Sequence, residues 1–218
     1  MSKKFALIGE KLPHTMSPPI HKRLFEMANI NGEYETIEIP KGELENFINQ
    51  LKTLDGFNVT IPYKQDIIPF LYELSSGAKL HQSVNTVTNK NGKLIGDNTD
   101  CYGFLKTLEE NGVALNGNVC VIGVGGVGRM IAIECALRCK NLTLAILERH
   151  KDKAFELKEY LQTLAKNCEI KISLTDEINN SFDVVINSTP VGMFPHINES
   201  PLEKELLNNV GAVFYCIY

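Results

Sequence analysis

None of the six cysteines in this 218-residue chain stands at CxxC spacing from another, so a metal site is not expected from them. They lie mostly in apolar runs and read as reduced, buried thiols, which suits the cytoplasm. Positive charge is also in short supply. Lys and Arg total 22 against 26 Asp and Glu, a net of -4, which offers no basic field for nucleic acid or an anionic membrane. The opening MSKKFALIGE has an apolar run of only five residues, too short for a secretory leader. The longest apolar stretch, 119–137, is broken by Arg129, Glu134 and several glycines, so no membrane span is expected. There is no internal repeat and no low-complexity linker. What remains is 44% hydrophobic, the composition of a globular chain long enough for one large domain or two small ones.

The first hundred residues alternate strands and helices. KFALIG reads as a buried strand and SPPIHKRLFEMANI as a helix. Ser17 is the expected N-cap, Pro18 suits the first helical position, and Ile20, Leu24, Met27 and Ala28 share a face. YETIEI is a strand, GELENFINQLKTL a helix, GFNVTI a strand and DIIPFLYEL a short helix. VNTVTNKNGKLIG is a hairpin turning at Asn91-Gly92, and a helix starts at Asp100. From NVCVIG onward the strands and helices follow the βαβ progression of a nucleotide-binding sheet. The expected fold class is therefore α/β in two domains with a cleft between them: an N-terminal α/β substrate domain, 1–101, and a C-terminal Rossmann-type domain, 102–218.

Between NVCVIG and its following helix stands GVGGVG, with Gly123, Gly125 and Gly128 at GxGxxG spacing. The spacing alone is weak, but strand before and helix after are the context it needs. Gly123 permits a tight turn, Gly125 a close approach to pyrophosphate, and Gly128 tight helix–strand packing. No Lys-Ser or Lys-Thr follows, so this is not a triphosphate loop. Glu148 lies about 20 residues past Gly128, where an acid accepts hydrogen bonds from the adenosine ribose. Arg149 follows it, and an arginine there pairs with a 2'-phosphate. The markers for NAD and NADP stand side by side.

Four polar groups mark the first half: Thr15 and Ser17; Asn58, Thr60 and Lys64 in NVTIPYK; Asn85; and the run Asp97–Asp100 in GDNTD. Singly, Ser17 and Asp100 read as helix caps, Lys64 as a solvated lysine and Asn85 as a sheet-edge amide. Together they describe a site. Thr15, Lys64 and Asp100 all follow strands, and ligands of parallel sheets bind at the strands' carboxyl ends. Hydroxyls for a carboxylate, amides and hydroxyls for alcohols, and a lysine with an acid partner suit a polyhydroxylated carboxylic acid.

Taken in order, HTMSPPIH, GFNVTIPYK, VNTV, GDNTD, GVGGVGR, ERH and DVVINSTPVGM resemble the motifs of the shikimate dehydrogenase family, which includes quinate dehydrogenases. The resemblance covers essentially the whole chain. It implies that Thr15 and Ser17 bind the substrate carboxylate, and that Asn58, Thr60, Lys64, Asn85 and Asp100 surround the ring hydroxyls. Lys64 and Asp100 would be the catalytic pair, and Tyr218 matches the family's substrate-site tyrosine. Gly123, Gly125, Gly126, Val127, Gly128, Glu148, Arg149, Ser188, Thr189 and Met193 would line the dinucleotide site. The implied reaction is NADPH-dependent reduction of 3-dehydroshikimate to shikimate, a step toward aromatic amino acids, by a monomer or homodimer. The cofactor is NADP, with NAD as the alternative because Glu148 replaces the family's Asn. The alternatives in function are a quinate or quinate/shikimate dehydrogenase using NAD and a non-catalytic dinucleotide-binding module. The family continues past the position of Tyr218 with a helix that returns to the first domain, so the second domain is expected to be truncated.

Overall fold

The computed structural model describes residues 2–13, 15–178, 181–193 and 197–216, and the chain divides into two compact units, Met1–Asp100 and Cys101–Tyr218. In the first unit β1 (Lys3–Gly9), β2 (Gly32–Glu38) and β3 (Gly56–Val59) run parallel. α1 (Ser17–Ala28) and α2 (Leu44–Leu51) are the crossovers between them. Leu44, Ile48 and Leu51 of α2 recur at helical spacing and all three are buried, which is the amphipathic stripe that docks a helix on a sheet. After β4 (Glu73–Leu74) and α3 (Ser76–His81) come β5 (Thr86–Lys90) and β6 (Lys93–Asp97). These two form the expected hairpin, its turn made by Asn91 at φ 54° and Gly92 at φ 82°, the pair of positive angles that a type I' turn requires. The sheet order is β2-β1-β3-β5-β6-β4.

That order has one consequence for function. β5 runs antiparallel to both β3 and β6. The amino end of β5 therefore lies at the same edge of the sheet as the carboxyl ends of β1, β3 and β6.

Three local expectations need correction. Ile20, Leu24 and Met27 of α1 are 51%, 49% and 68% exposed; they share a face, but it is the outward one. Phe25 faces the sheet instead, its ring 5.3 Å from that of Phe5, and Gly32 leaves the room, since a Cβ there would stand 3.0 Å from the Phe25 ring. Ser17 is the first residue of α1 rather than its cap; the N-cap is Met16, with no side-chain cap hydrogen bond. Residues 66–74 form a 3-10 turn, Ile68–Phe70, and the short strand β4 in place of a helix. Pro69 sits inside that turn and removes a donor an α-helix would use.

α4 (Asp100–Glu110) leads out of the first unit. The second unit is an all-parallel sheet of β7 (Asn118–Ile122), β8 (Asn141–Ile146), β9 (Glu169–Leu174), β10 (Val184–Asn187) and β11 (Ala212–Tyr215). Its order is β11-β10-β7-β8-β9. β7 is thus central and the order reverses beside it, the switch point at which such sheets bind ligands. α5 (Gly126–Ala136) and α6 (Lys151–Leu164) cross over between β7, β8 and β9. Every residue of α5 from Met130 to Ala136 is buried, and β7, β8 and β10 read as continuous apolar runs because they are covered on both faces. No helix among the described residues is long and apolar enough to cross a membrane.

Candidate functional site

At the shared edge of the first sheet the predicted polar residues come together. Lys64, half-buried in the turn after β3, donates from Nζ to Asp100 Oδ2 at 2.7 Å. Its backbone is fixed where the Val84 amide donates to the Lys64 carbonyl at 2.7 Å. The other Asp100 oxygen, Oδ1, accepts from Asn85 Nδ2 at 2.7 Å. Asn85 stands immediately before β5, and its Oδ1 accepts from the Thr99 amide at 2.9 Å. A backbone amide can only donate, so the orientation of the Asn85 side chain is set and its NH2 must face the carboxylate. Asn98, buried, holds the loop: its Nδ2 donates to the Ser83 carbonyl and its Oδ1 accepts from the Asp100 amide.

The network runs on toward α1. Thr86 Oγ1 donates to Asn85 Oδ1 at 3.0 Å and accepts from Asn58 Nδ2 at 3.2 Å. Asn58 Oδ1 accepts from Tyr34 Oη at 2.8 Å, and the Tyr34 hydroxyl also meets the side chain of Ser17. Burial pushes the Tyr34 phenol up to about 12, so it is a donor throughout the neutral range. His21 stacks on Tyr34 with ring centroids 3.9 Å apart and planes 12° from parallel. His21 Nδ1 lies 2.9 Å from the Ser17 carbonyl, which accepts only, so that nitrogen carries the proton.

Thr15 Oγ1 accepts from the Ser17 amide at 3.2 Å, leaving its own proton to donate elsewhere. Thr60, just past β3, is half-buried, and its methyl lies 2.7 Å from where a Gly9 Cβ would stand. Gly9 therefore lets Thr60 close down over the end of β1. Tyr34, His21 and Thr86 are members of this cluster that sequence patterns do not single out. Tyr218, expected among the substrate groups, lies outside the described residues.

The second unit bears out the shape expected of its glycine turn. Gly123 has φ 94°, in the region that favours glycine. A Cβ on Gly128 would overlap the Gly123 carbonyl oxygen and stand 2.5 Å from Ser188 Oγ. Ser188 in turn donates to the Ile122 carbonyl at 2.7 Å, tying β10 to the turn. Gly125, the N-cap of α5, and Gly126 are exposed with nothing near a Cβ position, so space is open in front of the α5 amides. Val127 follows, half-buried. A helix start with free N–H groups and this opening fits a pyrophosphate.

A cleft of about 310 Å³ lies beside that turn, with Gly125, Arg149, His150, Lys153, Ser188 and Thr189 among its walls. Thr189 Oγ1 donates to Asn187 Oδ1 at 2.7 Å, and the Asn187 side-chain NH2 donates to the Val191 carbonyl at 3.0 Å, which shapes the loop carrying Met193. Met193 is 44% exposed, available for a planar ring to rest on. Glu148 is exposed and paired with Lys151 at 3.2 Å. Arg149 Nε donates to His150 Nε2 at 3.0 Å. Arg149, His150 and Lys153 in the walls of the same cleft as the α5 start fit a dinucleotide that carries an extra phosphate.

Comparison with known proteins agrees with this geometry. The family model for the shikimate dehydrogenase substrate binding domain matches residues 7–87. A shikimate dehydrogenase (NADP(+)) of Clostridium beijerinckii is 36% identical over 218 residues, spanning 98% of this chain and 77% of the relative. A shikimate dehydrogenase crystallised with NADP+ superposes with a TM-score of 0.90 at 33% identity, covering 100% of this chain and 77% of that one. The enzyme from Thermus thermophilus, in complex with NADP(H) and shikimate, gives a TM-score of 0.85 at 29% identity, covering 99% and 79%.

Proposed function

The chain belongs to the shikimate dehydrogenase family, and from that premise we propose how its own residues carry out the reduction of 3-dehydroshikimate to shikimate. The first unit holds the substrate and the second holds NADPH. When bound, NADPH supplies a hydride to the ketone carbon. The oxygen of that ketone gains negative charge as the reaction proceeds. The Lys64 ammonium stabilises that charge and gives the oxygen a proton. Asp100 aims the ammonium and Asn85 pins Asp100. The observation that carries this reading is the 2.7 Å Lys64–Asp100 contact within a row of oriented hydroxyls and amides, groups of the kind that bind ring alcohols.

The substrate carboxylate is assigned to Thr15 and Ser17. Pro18 and Pro19 have no N–H, so the start of α1 lacks two donors that usually attract an anion. The hydroxyls must serve in their place. Thr15→Val is expected to raise KM about tenfold, the equivalent of the ~1.5 kcal/mol of one hydrogen bond to a charged group. Thr15→Ser should restore the parent value, and a Thr15→Val variant with unchanged KM would remove Thr15 from the site. Ser17→Ala should also raise KM; its melting temperature is read alongside because the change takes a partner from Tyr34.

Cofactor choice rests on Arg149. A charge-assisted hydrogen bond to the 2'-phosphate contributes about 1.5–3 kcal/mol. Glu148 opposes it, but its carboxylate is already engaged by Lys151. Arg149→Ala should lower the ratio of kcat/KM for NADP over NAD by at least about tenfold, the lower end of that range. Glu148→Asn should raise the same ratio by less. A parent chain that prefers NAD would show the acid to be the stronger term. Turnover with shikimate and with quinate, each with both nucleotides, tests the substrate assignment; faster turnover of quinate would overturn it. We read the enzyme as a monomer or homodimer and place it in the cytoplasm, the location being supported by six free thiols.

A further inference from the structure

Cys139 and Cys168 lie with their sulfur atoms 3.6 Å apart, at the end of the second sheet away from the glycine turn. Cys139 follows α5, where its amide donates to the Cys135 carbonyl at 2.8 Å, and it precedes β8. Cys168 immediately precedes β9. The two strands are parallel neighbours with Asn141 opposite Glu169, and the Glu169 amide donates to the Lys140 carbonyl at 2.9 Å. Continuing that register puts Cys168 level with Lys140, the residue after Cys139, which is how the two sulfurs come into contact. Sulfurs already in contact need only small side-chain rotations to bond. Cys139 is 6% exposed and Cys168 is only half-buried, so an oxidant reaches one member first.

We propose that Cys139 and Cys168 are a modification site: a dithiol that a peroxide converts into a disulfide stapling the end of α5 to the start of β9. The Cys168 sulfur attacks the peroxide oxygen, giving a sulfenic acid and water. The Cys139 sulfur then attacks the Cys168 sulfur and expels the hydroxyl, which leaves as water with the Cys139 proton. Two thiols lose two electrons in total and hydrogen peroxide gains them. Burial raises both thiols above their ordinary range, so little thiolate is present at neutral pH and the reaction is slow. The staple closes a loop that includes β8 and α6, and so it constrains the unfolded chain. α5 separates it from the glycine turn by about 16 Å, which leaves the dinucleotide contacts alone.

The test is a peptide map of the folded chain after prolonged incubation with millimolar hydrogen peroxide, digested without reductant. The expected product is a peptide linking Cys139 to Cys168, abolished by dithiothreitol and absent from Cys168→Ser. The oxidised chain should melt several degrees higher than the reduced one with NADP affinity unchanged, and Cys168→Ser should show no such rise. The proposal is overturned if Cys168 ends as sulfinic acid with Cys139 still a thiol. It is equally overturned if Cys139 or Cys168 pairs mainly with another cysteine.

Discussion

Lys64→Ala lowers the turnover number by at least about a hundredfold, the usual scale for a missing general acid, and changes KM far less. The site explains the asymmetry. Lys64 is a single donor among several groups that hold the substrate's alcohols, so the ground state loses little. The developing negative charge on the ketone oxygen has no other cation in the cluster of Asn58, Thr60, Asn85, Thr86 and Asp100. Removing the ammonium also leaves the Asp100 carboxylate, 35% exposed, facing the reacting oxygen with its own charge uncompensated. Asp100→Asn should fall between parent and Lys64→Ala, because it still accepts from one partner while no longer drawing the ammonium into line. Steady-state kinetics on the three proteins read both terms. A Lys64→Ala chain with parental turnover would exclude Lys64 from proton transfer.

Gly128→Ala is the second large effect. The added Cβ would overlap the Gly123 carbonyl oxygen, which is backbone, and stand 2.5 Å from Ser188 Oγ, which is held by its bond to the Ile122 carbonyl. α5 must move off β7, or the Ser188 bond to the Ile122 carbonyl must break. Overpacking of this kind costs about 1–3 kcal/mol, and the backbone contact places this case near the upper end. For a unit of about a hundred residues each kcal/mol shifts Tm by about 4–8 °C, so a fall of roughly 10 °C or more is expected. Dinucleotide affinity should fall with it, since the same shift moves the α5 amides. Gly126→Ala is the control: it meets nothing within 4 Å and should keep the parental Tm. Equal melting temperatures for Gly128→Ala and the parent would show that helix and strand do not need this close approach.

The polar cluster of the first unit and the glycine turn of the second were legible to different depths. The glycine turn is local, since spacing, preceding strand and following helix all fall within a dozen or so residues, and the sequence carries the whole of it. Lys64 and Asp100 were legible because each follows a strand. The middle of the row was not. Asn58 faces Thr86 because β3 and β5 pair antiparallel in that register, and Tyr34 reaches Asn58 from the edge strand two places away. A register is a long-range choice that no local pattern encodes. α1 failed in another way. Periodicity identified an apolar face but not whether it turns inward, and Phe25 with His21 won the inward position through ring contacts with Phe5 and Tyr34. α3 was missed because it is short; its one signal was Ser75, whose Oγ accepts from the Ala78 amide at 3.1 Å.

The polar row has a sense of direction. The Asn85 carbonyl can only accept, which turns the Asn58 amide nitrogen toward it and toward Thr86 and leaves Asn58 Oδ1 to accept from Tyr34. Thr86 then gives to Asn85, and Asn85 gives to Asp100. Two backbone groups, the Asn85 carbonyl and the Thr99 amide, thereby set which oxygen of a carboxylate is left for the lysine. Size is therefore a poor guide to what the row tolerates. Spontaneous deamidation of Asn85 to aspartate would leave the side chain's outline almost untouched, yet it would turn a donor into an acceptor and set one carboxylate against another. Such a lesion would disarm the row while hardly altering its shape.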